Sequence, residues 1–482
     1  MANLCQDMLL FLLLLLSILP TNAFSPSQRS SISSSSSNIL LHGQPTPIDA
    51  KDWPQKFPAK EHCSKCGLCE TSFVQYVETS CAFLKEGMSN IDSLEPILHK
   101  RSRNLENDYE SRFGVLDQDI LLVKGTQNGS QWTGAVTSIA LAMLESKTVD
   151  AAICIASKSD DNTLEPQPII AKTKQDLLKG RGVKPSLAPS LKVLDEIKQD
   201  ESIRNLLFCG VGCAVQAFRS ELVQKDLGLD NVYVLGTNCA DNSPTPQASQ
   251  DFIQKGLGIS EEDYESVKGY EFMQDFKVHV KKETEGSNSY DKIPYFSLPG
   301  NIARASIASS CLSCFDYTNS LADIVVGYMG ALLADDMDNN YQTLTIRNQK
   351  GKEMFDIATK AGKLNVYETA TGKGSWKDFA VQTVLADGVI EEMIGKQPKE
   401  QGMPPAVGNI VAKLVQYIGP KGLNFAEYSI DYHILRNYLY CLDQWGENGT
   451  ERKMPQYAQS IVKEYLKDYE GLRTVRDKIL AK

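Results

Sequence analysis

Asn205-Leu-Leu-Phe-Cys-Gly-Val-Gly-Cys-Ala-Val-Gln-Ala-Phe218 carries a short apolar run into a helical pattern through a Gly-Val-Gly turn. Residues 205–209 read as a buried strand, and 213–225 space apolar side chains as one face of a helix. The same alternation continues on both sides. Runs at 120–124, 149–156, 168–172 and 231–236 read as strands, 132–147 and 187–198 as helices, and 323–326 as another short buried strand. Strand and helix in alternation bury a mainly parallel or mixed sheet beneath crossover helices, so the expected fold class is α/β. Residues 241–299 are polar and charged without a clear period and read as an insertion or lid. Beyond about residue 409 the pattern is helical, at 410–418, 432–445 and 455–466.

The chain has 482 residues, 42% hydrophobic and 23% charged, which excludes a mainly disordered, collagenous or coiled-coil protein. Sixty acidic residues against 50 basic leave a net charge of −10. That dispersed acidity lacks the dense basic face of a nucleic-acid binder, so no nucleic-acid partner is expected. Residues 8–19 are apolar but too short to cross a bilayer, and 24–47 are polar with a serine tract at 33–37. A secretory leader and an organelle transit peptide both fit this stretch. The sequons at Asn128 and Asn448 would matter only for a secreted chain. No later segment is long and apolar enough to be transmembrane, so a soluble mature protein is expected.

Cysteine spacing is the most informative feature. Cys63-Ser-Lys-Cys66-Gly-Leu-Cys69 nests three thiolates in one loop, as an iron–sulfur cluster requires. Zinc, which usually draws on two separated cysteine pairs, fits less well but stays open. The next cysteine, Cys81, is the candidate fourth ligand. A second group comprises Cys209, Cys213, Cys239, Cys311 and Cys314. Cys213 and Cys239 follow neighbouring predicted strands, and strand carboxyl ends share one crevice in an open α/β sheet. Cys311 and Cys314 would complete four thiolates there, with Cys209 as an alternate. Cys5 lies in the leader, while Cys154 and Cys441 read as structural.

Two clusters would form an electron wire, and the motifs of other endpoints are missing. No Gly-x-Gly-x-x-Gly turn, Walker A loop, histidine pair at metal spacing or Gly-x-Ser-x-Gly elbow occurs. The candidate cofactor cradle is 129–135, with Gln131, Thr133 and Gly134 at the start of a predicted helix, where backbone amides attract phosphate. Lys172, Thr173, Gly182 and Lys184 are further candidates.

These motifs occur in an order that resembles the β-subunit family of the deazaflavin-reducing hydrogenases, over roughly residue 53 to the carboxyl terminus. With the added Cys63/Cys66/Cys69 segment, the chain is most similar to that family's plant branch. The resemblance implies FAD, two 4Fe–4S clusters, electrons from reduced ferredoxin and a chloroplast address, which decides the leader in favour of transit. It further implies a chlorophyll-type pigment substrate, whose 7-hydroxymethyl group is reduced to methyl in chlorophyll b breakdown. A related branch that reduces the 8-vinyl group of chlorophyll precursors, and a non-enzymatic electron-transfer subunit, are the alternatives. Association with other chlorophyll-breakdown proteins and homo-oligomerisation are also expected. Two places depart from the family pattern: Val211-Gly212-Cys213 replaces Thr-Pro-Cys, and Gly182-Val183-Lys184-Pro185 replaces Gly-Ser-Lys-Tyr.

The expected organisation is a transit segment at 1–48 and an iron–sulfur segment at 49–115. A cofactor-binding core at 116–340, with the insertion at 241–299, and a largely helical region at 341–482 follow. An acidic ferredoxin would dock on a basic patch, for which Lys100, Arg101 and Arg103 are the candidates. No residue is assigned as proton donor.

Overall fold

The computed structural model describes residues 63–482 except 128, 159–164, 220–224, 285–286, 334–335 and 398–400. The expected transit segment and the Asn128 sequon lie outside the described residues.

Three short helices open the described chain: α1 (Val74–Ser80), α2 (Asn90–His99) and α3 (Asp108–Phe113). Then β1 (Leu121–Gly125) runs into α4 (Ala135–Glu145), and β2 (Ala151–Ser157) and β3 (Pro166–Ala171) pair antiparallel before α5 (Lys174–Lys179). The opening stretch of sequence is β4 (Asn205–Gly210) followed by α6 (Gly212–Phe218), and β5 (Asn231–Thr237) lies beside it. These strands join β9 (Ile324–Gly327), β10 (Gln342–Ile346) and β11 (Leu364–Thr369) in one eight-stranded sheet, order β11-β1-β10-β9-β5-β4-β2-β3. The centre, β2-β4-β5-β9, is parallel and both flanks are antiparallel, so the sheet is mixed. The sheet continues to Thr369, past the expected boundary at 340, because β10 and β11 pair with β1.

The alanine-rich α4 packs Ala135, Ile139, Ala140 and Met143 on this sheet with Leu207, Leu235 and Ile324. Small side chains permit close approach, and the turn before α4 needs it. A Cβ on Gly125 would lie 2.5 Å from the Ala135 nitrogen, and Gly134 at φ +73° occupies the left-handed region.

The 241–299 stretch differs from a featureless insertion. It builds an antiparallel sheet of β6 (Val267–Phe272), β7 (Lys277–Thr284) and β8 (Ser287–Pro294). Val267, Val278 and Val280 cover Phe252 and Ile253 on one face, while Glu271 and His279 pair on the other. The carboxyl-terminal region is helical as expected. Its longest element, α8 (Leu423–Lys453), bends at Gly446, whose φ is +66°, and α9 (Gln456–Asp468) follows.

His99 shows how tightly the amino-terminal helices are tied in. Its Nε2 lies 2.8 Å from the Ser320 carbonyl and its Nδ1 lies 3.1 Å from the Asn348 amide, a pairing that suits the neutral ring. Burial, reinforced by Arg347, lowers its pKa to about 4. The unfolded chain, with a pKa of about 6.5, binds the proton first, so stability falls as pH drops from about 6.5 to 4. The expected loss is about 3 kcal/mol, and His99→Gln should blunt it in denaturation midpoints measured across that range.

Candidate functional site

Cys63, Cys66 and Cys69 lie in the loop before α1 and Cys81 directly follows that helix, so one turn of chain brings all four around a small cavity closed by Leu68, Val77, Phe83 and Leu84. Burial pushes their thiols up, Cys69 to about 12 and Cys81 to about 11, and Cys66, Cys69 and Cys81 are further raised by others of the set. The loop turns at Gly67, φ +78°, where a Cβ would lie 2.7 Å from Pro189.

Cys213, at the first turn of α6, Cys239, two residues past β5, and the 310 turn carrying Cys311 and Cys314 form the second set on the wall of a cavity of about 690 Å3. These thiols also raise one another. The long helix α8 holds the turn: Asn437 Nδ2 donates to the carbonyls of Cys311 and Cys314 at 2.8 and 2.6 Å. Next to Cys239, Asp241 is clamped by Arg436 through bonds of 2.9 and 2.8 Å, which hold its carboxyl far below the usual range despite burial. The departure at Val211-Gly212-Cys213 has a local cause here. A Cβ at position 212 would lie 2.6 Å from Asp316 Oδ2, so glycine admits that carboxylate where proline would not.

The two sets are neighbours. Cys66 borders both cavities, and Cys213 is raised by Cys66 and Cys81. Ser64 links the loops, its hydroxyl meeting Ser309 Oγ at 2.9 Å and accepting from the Ser310 amide at 2.7 Å. Cys209 stands apart on β4, opposite Cys154 on β2, and Cys154 is the thiol that raises it. Among the described residues no three His, Cys, Asp or Glu side chains gather as ligands of a single ion. Four half-buried thiols around one void are a donor set that suits an iron–sulfur cluster, and both sets fit one.

Of the expected cofactor residues, Gln131, Gly134, Gly182 and Lys184 border the large cavity. No atom lies within 4 Å of the Cβ position of Gly182, leaving room for a ligand. Burial lowers Lys184 to about 8, and its Nζ donates to the carbonyls of Arg181 and Gly182 at 2.7 and 3.2 Å. Thr133 is turned into the scaffold, accepting from the Gly125 amide at 3.1 Å and donating to Gln342 at 3.0 Å. Lys172 pairs with Asp200 and Thr173 caps α5, so this pair serves the surface of the fold. The volume lies within the roughly 300–1,000 Å3 of cofactor sites, and the small-residue turn and Lys184 suit a flavin dinucleotide.

The docking trio needs correction. Arg103 is buried, bonded to Glu95 at 2.8 Å and to Ser320 at 2.8 Å, with its guanidinium 3.8 Å from the Tyr457 ring. A partner cannot reach it. Arg101 is partly exposed but forks onto Glu110, and Lys100 is exposed at a helix end.

Sequence reading missed the far wall of the cavity, lined by Tyr270, Glu271, Tyr295, Tyr317, Tyr328, Tyr428 and Tyr432. The two-residue alternation around Tyr270-Glu271-Phe272 and Val278-His279-Val280 was the available signal for this part of it.

Two family models match, the amino-terminal region of the coenzyme F420 hydrogenase/dehydrogenase β subunit over residues 123–195 and its carboxyl-terminal region over 203–371. A rice protein named 7-hydroxymethyl chlorophyll a reductase, chloroplastic, is 44% identical over 86% of this chain and 84% of its own. The chain belongs to the F420 hydrogenase/dehydrogenase β-subunit family. An uncharacterised protein of Nostoc is 40% identical over 85% of this chain and 94% of its own. A coenzyme F420 hydrogenase β subunit of Methanococcus voltae is 26% identical over 53% and 84%. The family's carboxyl-terminal match takes in Cys209, Cys213, Cys239, Cys311 and Cys314, whereas Cys63 to Cys81 precede both matched regions.

Proposed function

We propose that this chain is a chloroplast oxidoreductase that reduces the 7-hydroxymethyl group of 7-hydroxymethyl chlorophyll a to methyl, using electrons from reduced ferredoxin. The observation that carries it is the placement of two cysteine quartets side by side against one large cavity, in a chain closely similar to a rice protein named for that reaction. Cys63, Cys66, Cys69 and Cys81 would hold one 4Fe–4S cluster, and Cys213, Cys239, Cys311 and Cys314 the other. Gln131, Gly134, Gly182 and Lys184 would border FAD. Bound clusters supply one-electron relay, and bound flavin supplies the conversion of two single electrons into a hydride equivalent.

The protein's own share is placement and exclusion. Asn437 and the Arg436–Asp241 pair fix the second quartet. The tyrosine wall offers flat apolar faces with polar tips, suited to a rigid pigment macrocycle. No described helix is long and apolar enough to cross a membrane.

The test is anaerobic purification with iron, sulfide and flavin analysis, then assay of hydroxymethyl and vinyl pigments with reduced ferredoxin. A brown protein with about eight irons and one FAD that consumes the hydroxymethyl pigment supports the reading. Consumption of the vinyl pigment alone would transfer it to the related branch. Full cofactor content with neither pigment consumed would make the chain an electron-transfer subunit, and a colourless zinc protein would overturn the redox reading.

A further inference from the structure

Four carboxyl groups border the large cavity: Asp241, Glu271, Asp316 and Asp387. Three are committed. Asp241 is ion-paired with Arg436. Asp316 accepts through Oδ1 from the amide and hydroxyl of Ser320, both at 2.8 Å, and its Oδ2, buried without a hydrogen bond, belongs to the second cysteine set, where Asp316 acts on Cys314. Asp387 accepts from the Tyr432 hydroxyl and caps the helix Gly388–Met393. Glu271 differs in kind. It projects from β6 and accepts from Gln131 Nε2 at 3.1 Å, and no cation pairs with it among the described residues. The Tyr328 hydroxyl acts on the same carboxyl, and the Tyr328 ring stacks on Trp132 at 4.6 Å, beside the candidate cofactor turn. Glu271 therefore sits where the cofactor end of the cavity meets the tyrosine wall.

We propose that Glu271 is the acid that protonates the departing hydroxyl of the bound substrate, an assignment that rests on the function proposed above. In this step the benzylic C–O bond breaks and a C–H bond forms. The new hydrogen and its electron pair come from the reduced flavin, which is left oxidised. The Glu271 proton leaves with the hydroxyl as water, and the carboxylate regains a proton from solvent water.

The surroundings favour the acid form. Burial holds the Glu271 carboxyl above its usual range, and the bond from Gln131 with the nearby Tyr328 and Trp132 side chains offsets only part of that. The charged groups nearby on the same sheet are already engaged: His279, opposite on β7, bonds Asp275 at 2.8 Å, and Lys281 bonds Asp338 at 2.6 Å. The remaining titratable neighbours, Tyr270, Tyr295, Tyr317 and Tyr328, are phenols pushed above their ordinary value by burial, so they stay neutral. A general acid should hold its proton at the working pH, and burial without a cationic partner shifts Glu271 in that direction.

The experiment uses the flavin- and iron-loaded full chain as wild type, Glu271→Gln and Glu271→Asp, with 7-hydroxymethyl chlorophyll a and reduced ferredoxin. Glu271→Gln is expected to lower kcat roughly 10²–10⁴-fold with KM, flavin content and ferredoxin-driven flavin reduction kept. Glu271→Asp should restore part of the rate. Wild-type turnover should fall as pH rises through the Glu271 titration, and that limb should vanish in Glu271→Gln. Independently of turnover, the infrared carbonyl band of a protonated carboxyl should be present in wild type at neutral pH and missing in Glu271→Gln. Wild-type kcat and an unchanged pH limb in Glu271→Gln would overturn the assignment and leave the proposed function standing. A fully loaded wild-type protein that leaves the pigment unchanged would overturn both. If Glu271→Gln does not fold, Glu271→Asp decides: an unshifted pH limb overturns the assignment, and a shifted one supports it.

Discussion

Cys239→Ala is expected to leave a protein with about half the wild-type iron and no ferredoxin-driven reduction of pigment, while the flavin is retained. Cys213, Cys239, Cys311 and Cys314 are enclosed, raise one another's thiol pKa, and share one cavity wall. A cubane bound through three protein thiolates loses one of its four anchors and the charge match that offsets thiolate burial. The first quartet, closed by its own loop and α1, should keep its iron. Cys209→Ala is the matched control. Cys209 adjoins Cys154 instead of the quartet, so its iron content should equal wild type. Iron and sulfide analysis of both variants, with the low-temperature paramagnetic resonance of the reduced proteins, reads the difference. Equal iron loss in both, or full iron in Cys239→Ala, would break the assignment of the second set.

Arg436→Met should cost about 3–5 kcal/mol of stability, the usual penalty for stripping one partner from a buried ion pair. Arg436 is among the largest fully buried side chains, and its guanidinium forks onto Asp241 while Nε bonds Asn437 at 3.0 Å. Removing it leaves the Asp241 carboxylate buried without a cation, with only His433, 3.7 Å away, to respond. Asp241 follows Cys239 by two residues, and Asn437 carries the Cys311/Cys314 turn, so the damage reaches the cysteines as well as the core. Adding Asp241→Asn to Arg436→Met should recover much of the lost stability, because no unpaired charge then remains inside. Urea midpoints for the two variants test this, and a double variant no more stable than the single one would show that packing, not charge, dominates.

The legible parts of this protein were those written locally. Strand and helix alternation from 120 to 236 follows from side-chain period alone, and the structure returns five strands close to the expected limits. The loop of Cys63, Cys66 and Cys69 is likewise a matter of spacing, since two residues separate each thiol from the next along one turn of chain. The three-stranded sheet within 241–299 was hidden because β8 is mostly polar and the alternation of β6 and β7 runs over only a few residues. Arg103 misled for a related reason. A run of cations reads as a solvated face until Glu95, Ser320 and the Tyr457 ring enclose one of them.

By itself, the sequence determined the α/β class and the family, and named the cysteines proposed as ligands, because these rest on short-range spacing and ordered motifs. Only the tertiary structure decided how those pieces meet. It set the two cysteine groups side by side through Ser64, placed Cys209 near Cys154, withdrew Lys172 and Thr173 to the surface, and brought Glu271 from a separate sheet to the candidate cofactor turn. Such contacts join residues from 28 to 246 positions apart, and their energy comes from burial and charge compensation that no local pattern records.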